Sequence, residues 1–71
     1  MPNKARTEGP RFRIGLTAIV GDCIITAHIG EVGSVTRIES SRYSRTLDKY
    51  VIQFSSGLEK TFWDVQLKRA I

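Results

Sequence analysis

From Phe12 onward, short apolar runs are broken every 8–12 positions by glycine, serine or aspartate. That rhythm belongs to strands joined by turns. The plainest run is 50–54, where Tyr50, Ile52 and Phe54 share one face of a strand and Val51 and Gln53 take the other. Ser55-Ser56-Gly57 then turns the chain back into a partner strand over 58–62. Upstream, 12–20 reads as a leading strand and Gly21-Asp22 as a turn into an apolar strand over 23–27. That strand pairs with a β-rich stretch over 34–39 across Gly30-Glu31-Val32-Gly33, whose two glycines read as turn residues. Trp63-Asp64-Val65 breaks the alternation in a single turn before a closing strand over 66–70, with Leu67 facing inward. Inward parity assigns Phe54, Phe62 and Leu67 to one core with Val35 and Ile52. No stretch carries the period of a long amphipathic helix.

Length narrows this pattern to one domain, because 71 residues hold a single hydrophobic core. With 41% hydrophobic and 25% charged residues the chain has the balance of a globular protein rather than a disordered one. Residues 1–11, with two prolines, a glycine and mostly polar side chains, read instead as a flexible arm ahead of a domain over 12–71. One cysteine, Cys23, rules out an intrachain disulfide and fits a reducing compartment. No run approaches the roughly 20 apolar residues of a membrane span, and no apolar leader follows Met1, so a cytoplasmic location is expected.

Charge adds the first functional hint. Lysine and arginine number 11 against 7 acidic residues, for a net charge of +4. Lys4, Arg6, Arg11 and Arg13 face only Glu8 within the first 13 residues, which leaves about +1 for the rest of the chain. The polar segment 40–48 reads as the longest internal loop, and loops of that length tend to carry function. Arg37, Arg42, Arg45 and Lys49 form a second basic cluster in and beside it, around Tyr43, whose ring suits stacking on an unpaired base. The plainer reading is a solvated surface with Glu39 and Asp48 balancing part of the charge. Trp63 suits either a ligand-facing flank or a cap on the core.

Catalytic signals are thin. A nucleophile needs a base within hydrogen-bond reach, and Cys23 and the sole histidine, His28, stand at an odd separation that points strand side chains to opposite faces. Cys23 therefore reads as a small core residue and His28 as a solvated one at a strand end. One Cys and one His cannot build a tetrahedral metal shell, and Gly30 and Gly33 lack the Lys-Ser/Thr and helix of a phosphate loop. No cofactor, metal or catalytic residue is expected.

Gly21-Asp22, Gly30-x-x-Gly33-x-Val35-x-x-Ile38, Tyr50-Val51-Ile52-x-Phe54 and Phe62-x-Asp64-x-x-Leu67 together resemble the KOW and Tudor-like families of SH3-like barrels over residues 20–71. The resemblance implies an all-β, SH3-like barrel of about five strands. Families of that fold include RNA binders, ribosomal and transcription-factor modules, and small subunits of photosynthetic electron-transfer complexes. The stretch from Phe54-Ser55 to Asp64-x-x-Leu67 is similar to the C-terminal hairpin of the variable chain of ferredoxin-thioredoxin reductase, which supports a redox partner and holds no cofactor. Plasmid-encoded type II dihydrofolate reductase, a homotetramer, is a fainter likeness. Its pore strand reads Val-Gln-Ile-Tyr where this chain has Glu59-Lys60-Thr61-Phe62, so its activity does not carry over.

The expectation is a non-enzymatic nucleic-acid-binding module, RNA ahead of DNA, gripping phosphates through Lys4, Arg6, Arg11, Arg13, Arg37, Arg42, Arg45 and Lys49 with Tyr43 as a stacking ring. The alternative is a protein-interaction module or small subunit, with Trp63 in its contact surface, that docks an acidic partner or self-associates. No membrane contact is expected.

Overall fold

The computed structural model describes residues 9–22 and 26–70. Their strands are β1 (Thr17–Val20), β2 (Val32–Glu39), β3 (Lys49–Phe54), β4 (Glu59–Trp63) and β5 (Leu67–Arg69). Two single 3-10 turns, η1 (Arg45–Leu47) and η2 (Asp64–Gln66), precede β3 and β5. The strands make one open antiparallel sheet in the order β4-β3-β2-β1-β5. The all-β expectation thus holds at the level of class, with β4 and β5 as the two edges. Both edges are short and charged, with Glu59 and Lys60 on one and Lys68 and Arg69 on the other, which discourages edge pairing with other chains. Among the described residues no helix is long and apolar enough to cross a membrane.

β2 is the strand the others depend on, since it pairs with β1 through Val32–Ser34 and with β3 through Gly33–Glu39. Its register with β3 shifts between Val35 and Arg37. Val35 and Ile38 stand three residues apart, a spacing that would put them on opposite faces of a regular strand. The bulge at Thr36 corrects this, so that Val35 lies opposite Ile52 and Ile38 opposite Tyr50, both toward the core. Thr36 fills its irregular position by donating its hydroxyl to the Val51 carbonyl at 3.3 Å.

The core assembles on that face from Phe12, Ala18, Val20, Val35, Tyr50, Ile52, Phe54, Phe62 and Leu67. Tyr50, Ile52, Phe54, Phe62 and Leu67 fall on the parity expected from the sequence. Val51 faces the other side yet is only 6% exposed, between Arg37 and Thr61 in adjacent strands. Ser55-Ser56-Gly57 turns as anticipated: Gly57 has φ of 92° and donates to the Phe54 carbonyl at 2.8 Å.

Four expectations need correction. Regular pairing in the leading strand begins only at Thr17, because the chain turns at Ile14-Gly15 after burying Phe12. The partner of β2 in the first hairpin is β1, not 23–27. Residues 23–25 lie outside the described residues, and Thr26 and Ala27 are not in a strand. Gly30 is a turn glycine at φ of 84°, but Gly33 sits inside β2. A Cβ on Gly33 would stand 2.5 Å from Ile52 Cγ2 and 2.7 Å from the Gln53 carbonyl oxygen, so close strand approach excludes a side chain there. His28 is not a solvated strand end. Its ring stacks on Phe54 with centroids 4.9 Å apart, and its Nδ1 lies 3.2 Å from Glu31 Oε1.

The two glycines lead to a paired prediction. Gly33→Ala should cost at least about 2 kcal/mol, since a clash with backbone cannot be relieved by a rotamer change. Gly30→Ala has open space and only the backbone penalty, about 1–2 kcal/mol. Urea unfolding of both variants checks the order, and equal midpoints would contradict the close approach.

Candidate functional site

The candidate residues named beyond the N-terminal arm gather at one end of the sheet, where the 40–48 connection and the β4–β5 turn meet. η1 packs beside η2, and the Asp64 N–H donates to the Asp48 carbonyl at 2.8 Å. The 40–48 connection is well organised. Asp48, fully buried, accepts from the Ser41 N–H at 2.7 Å and so closes the loop across its base. Ser41 Oγ accepts from the Tyr43 N–H at 3.0 Å, and Ser44 Oγ caps η1 by accepting from the Thr46 N–H at 3.2 Å. These bonds set Tyr43 outward, with 76% of its surface exposed. Asp48 therefore organises the loop from inside and is not the surface counter-charge the sequence suggested.

Strand register supplies the rest of the surface. On the face of the sheet opposite the core, Glu39, Lys49 and Trp63 stand side by side across β2, β3 and β4, and Arg37, Val51 and Thr61 form the next row. Arg37 reaches this face because the bulge at Thr36 reverses the alternation. Lys49, expected in the loop cluster, is the first residue of β3, and its Nζ lies 4.8 Å from the centre of the Trp63 ring. Trp63 is 41% exposed, and its N–H donates to Gln66 Oε1 at 2.9 Å, which fixes the backbone that carries the indole. Arg42 and Arg45 are exposed along the loop, and Leu47 and Val65 add exposed apolar side chains on η1 and η2. The structure thus brings Arg37, Arg42, Tyr43, Arg45, Lys49 and Trp63 to one end.

The basic arm fares differently. Lys4 and Arg6 lie outside the described residues, and Arg13 is exposed in the segment leading to β1. Arg11 is committed within the chain. Its Nε donates to Asp64 Oδ2 at 3.2 Å, and one Nη2 donates to the carbonyls of Asp64 at 2.7 Å and Leu67 at 2.5 Å. The guanidinium also stands 4.5 Å from the Phe12 ring centre, and Phe12 meets Tyr50 edge-on at 5.1 Å while its N–H donates to Tyr50 Oη at 3.3 Å. Segment 9–12 is therefore strapped across η2. Asp64, 4% exposed, is the anchor. The sequence reading missed Asp48 and Asp64 as interior carboxylates and Arg11 as the partner of Asp64. The available signal was a pair of aspartates at the ends of turns that lead into strands, Asp48 closing η1 and Asp64 opening η2, where a carboxylate can serve nearby donors.

Burial pushes the Tyr50 phenol above its ordinary value of 10.0, the negative charges of Asp64 and Asp48 add to the rise, and the Phe12 N–H works against it. No group of three or more metal-ligating side chains is present among the described residues. An open recess of about 480 Å³ beside β1, β2 and β3 is lined by groups such as Thr17, Ser34, Gln53 and Ser55, with no ionisable side chain to act as a base.

Removing the Arg11 guanidinium takes a donor from a buried carboxylate and from the Asp64 and Leu67 carbonyls, the first of which keeps the Leu67 N–H, so Arg11→Ala should cost about 2–4 kcal/mol. Arg11→Lys should recover little, because a single ammonium cannot reproduce the fork. Chemical denaturation checks both, and a neutral Arg11→Ala would remove the strap from the account of stability. The raised Tyr50 value gives a signed pH effect. The folded state holds the phenolic proton more tightly, so this contribution is intact below pH 10 and is lost as pH climbs above it. Unfolding midpoints should fall as pH rises above 10, and Tyr50→Phe should flatten that fall.

No family model, curated protein or solved structure matches this chain.

Proposed function

We propose that the chain is a small, non-enzymatic nucleic-acid-binding module that takes single strands, RNA ahead of DNA, on the end built by the 40–48 loop, Lys49 and Trp63. The observation that carries this reading is an outward Tyr43, 76% exposed on a loop tied down by Asp48 that also carries exposed Arg42 and Arg45, with Lys49 opening the strand that follows and Arg37 in the next row of the same outer face. Cations neutralise phosphates without regard to sequence, and an exposed ring on an ordered loop offers a stacking surface that needs little rearrangement. Unpaired bases are the natural partners of such a ring, and they are commonest in RNA. Arg11 belongs to the strap in this reading, which leaves Arg13 and the loop cluster to provide the charge, with Lys4 and Arg6 as additional contacts.

An SH3-like barrel of the KOW or Tudor-like type is part of the same proposal. Support comes from the long β2 that serves two ladders, the bulge that bends it, and the 3-10 turn that feeds β5. A second reading, docking of an acidic protein, draws on Leu47 and Val65, exposed by 48% and 52% beside the same cations.

Fluorescence anisotropy of a labelled mixed-sequence 12-nucleotide RNA separates the two readings. With about three to four phosphate contacts, log affinity should fall against log salt with a slope near −2 to −3. Tyr43→Ala should weaken binding by about 1–3 kcal/mol and leave that slope unchanged. Arg42→Gln should reduce the slope by about 0.7. Absence of RNA and DNA binding at low ionic strength, together with capture of a poly-glutamate peptide, would replace this reading with protein docking.

A further inference from the structure

Resting on the nucleic-acid reading, we infer that Trp63 is a second base-stacking platform whose cover is Lys49: the ammonium rests on the indole in the free protein and moves to a phosphate when a base takes its place. The two residues face each other in register across β3 and β4, with Nζ 4.8 Å from the ring centre. The indole does not behave as a core residue. It is 41% exposed and lies outside the buried cluster, although its backbone is held by Gln66. An aromatic ring presented in this way on a strand, with a cation over it, has the two chemistries a nucleotide needs within one side-chain length.

The exchange is favourable on general grounds. An exposed cation over an aromatic face contributes about two- to fivefold to an equilibrium constant, whereas stacking a base on such a ring is worth about five- to a hundredfold in affinity. The displaced ammonium is not stranded, because the phosphate of the stacked nucleotide is within reach of a four-carbon stem. Glu39 stands opposite Lys49 on the other side in register, so its carboxylate repels a phosphate placed there and favours one on the Trp63 side. The consequence is selectivity for single strands, since duplex bases are already stacked on one another and cannot take the indole face.

Trp63 is the sole tryptophan, so intrinsic emission of the full chain reports this site alone. The probes are a 12-mer of oligouridylate, a mixed-sequence RNA duplex of the same length, and inorganic polyphosphate as a phosphate chain without bases. Oligouridylate should quench the emission at least twofold, with the same midpoint as anisotropy of the labelled strand. Duplex and polyphosphate should compete through charge and leave most of the emission intact. Trp63→Leu should lose about tenfold in affinity for the 12-mer with its salt slope unchanged, and Trp63→Phe should recover most of that loss. Lys49→Met should keep the quenching and lower the slope by about 0.7. Melting curves of the three variants establish that each is folded. Binding of the 12-mer by anisotropy with unchanged tryptophan emission, or with full affinity in Trp63→Leu, would overturn the inference and leave the nucleic-acid reading in place. Failure of every probe to bind at low salt would remove both.

Discussion

A strand offers two faces in strict alternation, and β2 has to serve a core on one side and a charged surface on the other with Val35 and Ile38 three residues apart. Only an inserted residue reconciles that spacing with one buried face. The bulge at Thr36 does so, and in the same step it sends Arg37 to the outer face beside the Lys49 and Trp63 row. Core packing and surface chemistry are therefore coupled through one backbone irregularity. Removing it would bury a guanidinium or expose Ile38, and either outcome costs more than the bulge itself.

The second constraint follows from size. A domain of about 70 residues buries too little apolar surface for a wide margin of stability. Here part of the interior is polar, with Asp48 and Asp64 placed where two connections meet and both served by backbone or Arg11 donors. Such groups are weak evidence for net stabilisation, since apolar replacements of the same shape often do as well. Their effect is on geometry. Asp48 closes the 40–48 loop, Asp64 receives the strap, and the hydrogen bond between their backbones locks the loop and the strap into one unit.

What was legible in the sequence was the part governed by period two. Tyr50, Ile52, Phe54, Phe62 and Leu67 reached the core as their parity required, and Ser55-Ser56-Gly57 turned where a positive φ was available. What was not legible depended on partners distant in the chain. Nothing local distinguishes Gly33 from a turn glycine until Ile52 and Gln53 are brought against it. His28 read as solvated because its stacking partner Phe54 lies 26 residues away in sequence. Arg11 looked like one more arm cation because the acceptors that claim it, Asp64 and Leu67, are more than 50 residues on. For the candidate site, residue types and loop were readable, but the register that pairs Lys49 with Trp63, and the bulge that adds Arg37, were not.

Stability and surface chemistry are separable at this end even though they share a backbone. Asp48, Asp64, Tyr50 and Arg11 point inward or along the strap and are satisfied there, while Tyr43, Arg42, Leu47, Val65 and Trp63 project from the same two connections toward solvent. Exposed side chains on a framework fixed from behind can change identity with little cost to folding, because the loop conformation depends on Ser41, Ser44 and Asp48 rather than on them. The same rigidity limits what the surface can recognise. An ordered loop loses little entropy on binding but cannot remould itself around a large partner, so it favours ligands with small, repeated units over extended folded surfaces. Under the nucleic-acid reading proposed above, a chain of nucleotides, presenting one base and one phosphate at a time, meets that condition.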